Sequence, residues 1–135
     1  MIEPLTTHVM IKVPARPQYV KVLRSILASV AASLDFSLER IDDLKMAVGE
    51  ASSQLLEVGP PGGTLMVEAD PVNGGLRVDI AINAADFLWP PEEIESSLTW
   101  RVLSTVATDI DFGKSAEGAF VRLLVTAAPP TAEHA

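Results

Sequence analysis

Apolar residues at Leu23, Ile26, Leu27, Val30, Ala31 and Leu34 recur at steps of three and four, as do Ile41, Leu44, Val48, Ala51 and Leu55. Each set marks the buried stripe of an amphipathic helix. Pro17 suits the first turn of the first helix, which runs to about Leu34. Ser37 is placed as the N-cap of the second, with Glu39 favourable in its first turn, and Gly59-Pro-Pro-Gly-Gly63 lies beyond its end. Leu98, Val102, Leu103 and Val106 mark a third helix, capped by Ser97 or Thr99. Strand patterns fill the remainder. His8–Val13 alternates and is stopped by Pro14; Thr64–Asp70 and Leu76–Ile82 form a hairpin across Pro71-Val-Asn-Gly-Gly75. Ala107–Phe112 and Ala119–Thr126 close the chain around a loop from Gly113 to Gly118. Asn83–Ser97 reads as a loop.

The order strand, two helices, two strands, helix, two strands predicts an α+β two-layer sandwich, with helices packed on one face of a mixed sheet. At 135 residues, 48% of them hydrophobic, the chain suits one domain, set at 1–127 and followed by a polar tail over 128–135 expected to be disordered. No apolar run reaches the roughly 18 residues that span a bilayer, and the start lacks a signal-peptide pattern, so a cytoplasmic protein is expected, with no membrane.

Charge and chemistry narrow the function. The net charge is −8 and the ten Lys and Arg residues are scattered from Lys12 to Arg122, which argues against direct nucleic-acid binding and for a protein partner. Cysteine is absent, removing disulfides, thiolate metal sites and thiol nucleophiles. His8 and His134 have no partner pattern for a metal, and Ser52 and Ser53 have no triad around them. At about 100° per residue, Asp43, Ala47, Glu50 and Gln54 line the flank of the second helix, where side chains are half buried. Glu50 and Gln54 thus set an acid and a carboxamide one turn apart beside a cleft wall. Read blandly, both simply keep a helix edge wet. Trp100 is assigned to the core, and Trp89, in a Pro-rich loop, to an exposed contact.

The stretch Asp42-Asp-Leu-Lys-Met-Ala-Val-Gly-Glu-Ala-Ser-Ser-Gln54 resembles the N box of the histidine-kinase-like ATPases, specifically the anti-sigma-factor serine kinases. The resemblance runs from about Val9 to Thr126 and is strongest over Val22–Leu55 and Trp100–Val125. It implies the Bergerat-type fold of that superfamily. It sets Glu50 at the family's general base and Gln54 at its magnesium-binding Asn, the same carboxamide displaced by one methylene. Asn83 stands near the family's adenine-reading Asp, and Gly118 is what remains of its closing Gly-Thr pair, with Ala119 following. Ile82-Asn-Ala-Ala-Asp-Phe87 and Ser97-Leu-Thr-Trp100 carry none of the family's phosphate-loop glycines, which implies that Mg-ATP binding is weak or lost. Arg24 aligns with an arginine on the family's sigma-binding face, and Lys21 sits one turn earlier.

The implied function is that of an anti-sigma factor, which sequesters an alternative sigma factor, represses its transcription programme and is released by an anti-anti-sigma antagonist. Homodimerisation through the sheet edge is a further family expectation. The alternatives are an active ATP-dependent serine kinase that phosphorylates the antagonist, with Glu50 as base and Gln54 on magnesium, and a diverged interaction domain with neither activity nor sigma partner.

Overall fold

A computed structural model describes residues 8–128, so most of the tail expected at 128–135 lies outside the described residues. The elements run β1 (Val9–Pro14), a 3-10 turn (Pro17–Tyr19), α1 (Val20–Ser33), α2 (Leu38–Val58), β2 (Thr64–Val72), β3 (Gly75–Asn83), a second 3-10 turn (Ile94–Ser96), α3 (Leu98–Val106), β4 (Asp109–Ser115) and β5 (Gly118–Thr126). Local chemistry fixes the helix starts. Ser37 Oγ accepts the Arg40 amide at 3.2 Å, and Ser97 Oγ accepts the Trp100 amide at 3.1 Å, so each serine satisfies an amide that has no partner inside its helix. Ser97 is therefore the cap of α3, and the Thr99 hydroxyl is left for another use.

The five strands lie in the order β1-β2-β3-β5-β4, and every neighbouring pair is antiparallel. This corrects the expected mixed sheet. Two helices between β1 and β2 bring the chain back reversed, so that β2 runs against β1. The single helix between β3 and β4 leaves those two strands parallel, but β5 enters between them and opposes both.

Both hairpins are tighter than the sequence suggested. Val72 pairs with Gly75, leaving Asn73-Gly74 as a two-residue turn, and Ser115 pairs with Gly118, leaving Ala116-Glu117. Gly113, expected in a loop, sits in the ladder opposite Phe120, where an added Cβ would meet the Phe120 ring at 2.9 Å. Gly118 has φ +119°, and a Cβ there would lie 2.1 Å from the Ile82 carbonyl oxygen. Backbone strain of this kind costs about 1–3 kcal/mol. Gly118→Ala should therefore unfold several degrees earlier in a thermal melt, and an unchanged melting temperature would show that the turn relaxes freely.

The core lies between the sheet and the helices. Leu65, Val67, Ala69, Leu76, Val78, Ile80, Val121 and Leu123 point inward and are fully buried against Leu23, Leu27, Leu44, Val48, Leu55 and Leu103. The first six of these alternate along β2 and β3, as one-sided burial of a strand requires. The opposite sheet face is crossed by ion pairs of Asp79 with Arg122 and of Asp70 with His8 and Arg77. The hydrogen bond to Asp70 raises the pKa of exposed His8 above its ordinary value.

Arg40 is the exception in the core. It occupies the stripe position before Leu44 and is 1% exposed. Its Nε donates to the Thr126 carbonyl at 3.0 Å, one terminal nitrogen to the Val106 carbonyl at 3.0 Å, and the other to Asp43 at 2.9 Å. Val106 ends α3, so the guanidinium serves a carbonyl that its own helix leaves without a partner, at the negative end of the helix dipole.

Trp89, expected at the surface, is buried at 5% exposure, and Trp100, expected in the core, is only partly buried. Trp89 donates its indole N–H to the Phe120 carbonyl at 3.0 Å and packs edge-on against Phe87 and Phe112. A proline-rich segment is thereby held as a strap against β5.

Candidate functional site

The buried stripe of α2 is broader than the sequence suggested, because Ala47 and Ser52 are fully buried beside Val48 and Ala51. Glu50 and Gln54 remain half-buried on its flank. Between them stands the Thr99 hydroxyl, 2.8 Å from a Glu50 carboxylate oxygen and 2.8 Å from the Gln54 carboxamide. Thr99 belongs to the first turn of α3 and is 5% exposed. A hydroxyl has one proton to give. Both neighbours are acceptor oxygens, Glu50 Oε2 and Gln54 Oε1, so the one Thr99 proton is shared between them.

Sequence reasoning did not include Thr99 in this site. It considered Thr99 as a helix cap, and the Ser97 cap releases it.

A second feature lies on the other side of Glu50. Gly49 lets the Arg24 side chain cross α2 closely, since a Cβ at Gly49 would stand 3.3 Å from Arg24 Cδ. A cavity of about 460 Å³ opens there, lined by Arg24, Asp42, Lys45, Glu50 and Ser53. Arg24 Nε is buried and has no hydrogen-bond partner within the described fold. Lys21 is exposed one turn earlier on α1, and Val22 and Met46 present exposed apolar surface on the two helices. The structure therefore brings Arg24 and Glu50 to one cavity.

Asn83 and Gly118 are elsewhere. Ile82 points into the core, so its neighbour Asn83 faces the opposite side of the sheet, where it shares a cavity of about 370 Å³ with Lys12, Thr64, Met66, Glu68 and Glu117. Gly118 lies beside it, with a Cβ position 3.5 Å from Asn83 Cα. The residues suggested for one nucleotide site thus fall into two groups on different faces.

Magnesium requires near-octahedral oxygen ligands at about 2.0–2.1 Å. The Thr99 hydroxyl instead fills the space between Glu50 Oε2 and Gln54 Oε1 and its proton occupies their lone pairs, so the pair as folded leaves no open position for a magnesium-bound nucleotide. The pair can orient α3, and its other Glu50 oxygen can accept a proton from a group entering the Arg24 cavity. Among the described residues no cluster of His, Asp and Glu suits a metal, and no helix is long and apolar enough to cross a membrane.

No protein-family model matches the chain. Known proteins do. The chain is 52% identical over 44 residues to the serine-protein kinase RsbW of Oceanobacillus iheyensis, a match covering 33% of this chain and 28% of that one. It is 34% identical over 80 residues to the serine-protein kinase RsbW of Listeria innocua, covering 57% and 51%. A longer match, 27% identical over 102 residues, joins it to the anti-sigma-F factor RsbW of Mycobacterium tuberculosis, covering 74% of this chain and 58% of its relative. The chain thus spans between about a quarter and three-fifths of the length of these relatives. The chain is thus similar, over part of their length, to serine-protein kinases and an anti-sigma-F factor of the RsbW type.

Proposed function

We propose that this protein is an anti-sigma factor of the Bergerat-type, histidine-kinase-like fold, which holds an alternative sigma factor by stoichiometric binding and so represses its transcription programme. The observation that carries the reading is Arg24, whose guanidinium is packed over Gly49, lacks a partner for its buried Nε and opens onto a cavity beside exposed apolar surface. Arginine joins fork-shaped hydrogen bonding to an apolar stem and anchors interfaces for that reason. Lys21 and Arg24 meet the sigma factor from α1, and an anti-anti-sigma antagonist competes for the same protein.

The names of the relatives support both an anti-sigma and a kinase reading. Sequestration is preferred because Thr99 already engages Glu50 and Gln54, leaving Mg-ATP binding weak or lost. Homodimerisation through a free sheet edge, β1 or β4, and a cytoplasmic location complete the proposal. With a net charge of −8 the protein would act without touching nucleic acid itself.

Kinase activity toward the antagonist is the second reading. It is favoured by the place of Glu50 on the wall of the Arg24 cavity, within reach of a partner hydroxyl. Glu50→Gln separates the two. Sigma-factor retention by the variant should equal that of the unmodified protein in a co-purification assay, and lost retention would contradict a role confined to binding.

A further inference from the structure

We propose that Thr99 is an internal stopper of the Glu50–Gln54 site, an autoinhibitory contact built into the first turn of α3 that a magnesium-bound nucleoside triphosphate must break before it can bind. The inference rests on the reading of Glu50 and Gln54 as the N-box pair.

The position of Thr99 is over-determined. Its hydroxyl lies 2.8 Å from both members of the pair and it is 5% exposed, so the contact is shielded from competing water. On its N-terminal side, Ser97 caps the helix through the Trp100 amide. On its C-terminal side, Trp100 leans on Phe112 with ring centroids 5.9 Å apart, and Phe112 in turn packs against Trp89 of the strap. Trp89 is fastened to β5 by its indole N–H, and Asp86 of the same strap pairs with Lys114 of β4 at 2.8 Å. The first turn of α3 therefore cannot swing off the pair without disturbing an aromatic cluster anchored on β4 and β5.

The consequence is chemical as well as steric. A triphosphate needs cations and N–H donors facing it, and its metal needs free oxygen lone pairs. Thr99 shares its proton between a Glu50 and a Gln54 oxygen and fills the space between them. Opening the stopper costs that shared hydrogen bond and part of the aromatic packing, which any nucleotide must repay from its own binding energy.

Calorimetric titration with Mg-ATP tests this on the full chain. Thr99→Ala should bind at least about tenfold more tightly than the unmodified protein, the factor equivalent to one such hydrogen bond. Thr99→Ser keeps the hydroxyl and should match the unmodified protein. Gln54→Asn leaves Thr99 untouched and withdraws the carboxamide by one methylene; it should also gain affinity, and serves if Thr99→Ala fails to fold. Equal affinity in all folded variants, whether measurable or nil, would overturn the stopper. Retention of a co-expressed alternative sigma factor, measured on the same variants, reports on the anti-sigma reading separately, so a failed stopper and a failed function are told apart.

Discussion

Replacing Arg40 with methionine should destabilise the protein by about 3–5 kcal/mol, the range for breaking a buried, hydrogen-bonded charge network. The variant keeps an apolar stem of similar reach but strips partners from the Val106 and Thr126 carbonyls, at about 1–3 kcal/mol for each oxygen left buried and unpaired. Asp43 loses its partner as well, though its side chain is 30% exposed and water compensates it in part. For a chain of this size each kcal/mol lowers the melting temperature by roughly 3–4 °C, so a fall of about 10 °C or more is expected. Arg40→Lys retains the charge but not the planar fork that serves three acceptors in different directions, and should fall between. A shift below about 3 °C for the methionine variant, on the same scale, would mean that Arg40 does not tie α3 and β5 to α2.

Reversing the charge at Arg24 should weaken sigma-factor binding on the order of 30-fold or more, the loss of about 2 kcal/mol that marks an interface anchor. Folding should be spared, because the Arg24 guanidinium makes no hydrogen bond among the described residues and its Nε is already without a partner. Arg24→Glu also sets a third carboxylate on the cavity that Asp42 and Glu50 line. Arg24→Gln, which keeps most of the stem, should show a smaller loss, separating the charge from the packing over Gly49. Binding isotherms for both variants, read beside their melting curves, check this; unchanged affinity for Arg24→Glu would remove α1 from the interface.

The parts of this fold that were legible in the sequence are those set by short-range periodicity. The stripe from Leu44 to Leu55, the Ser37 cap and the inward alternation of Leu65, Val67 and Ala69 each follow from residues within one or two turns of one another. Strand order was not legible in the same way. Nothing near β5 in sequence announces that it enters between β3 and β4, and the antiparallel β3–β5 ladder follows from that insertion.

Polar residues buried by distant partners were the other blind spot. Arg40 reads as a solvated first-turn residue until Val106 and Thr126 are brought to it, although its place in register with Leu44 and its spacing from Asp43 were visible signals. Trp89 was misjudged because a proline-rich loop suggests exposure, whereas its indole finds a carbonyl on β5. At the site, Glu50 and Gln54 were found from helical geometry, but the hydroxyl that occupies them is 45 residues further along the chain than Gln54. Asn83 was linked to them by the family resemblance, and strand alternation turns it to the other side of the sheet.

The central claim is that sequestration runs through the α1–α2 face and needs no nucleotide. Its most direct test is calorimetric titration of the purified protein with the alternative sigma factors encoded in its own genome, each with and without millimolar Mg-ATP. Stoichiometric binding of one of them, with the same affinity in both conditions, is the expected result. Binding that requires Mg-ATP, or no binding to any of them, would contradict it.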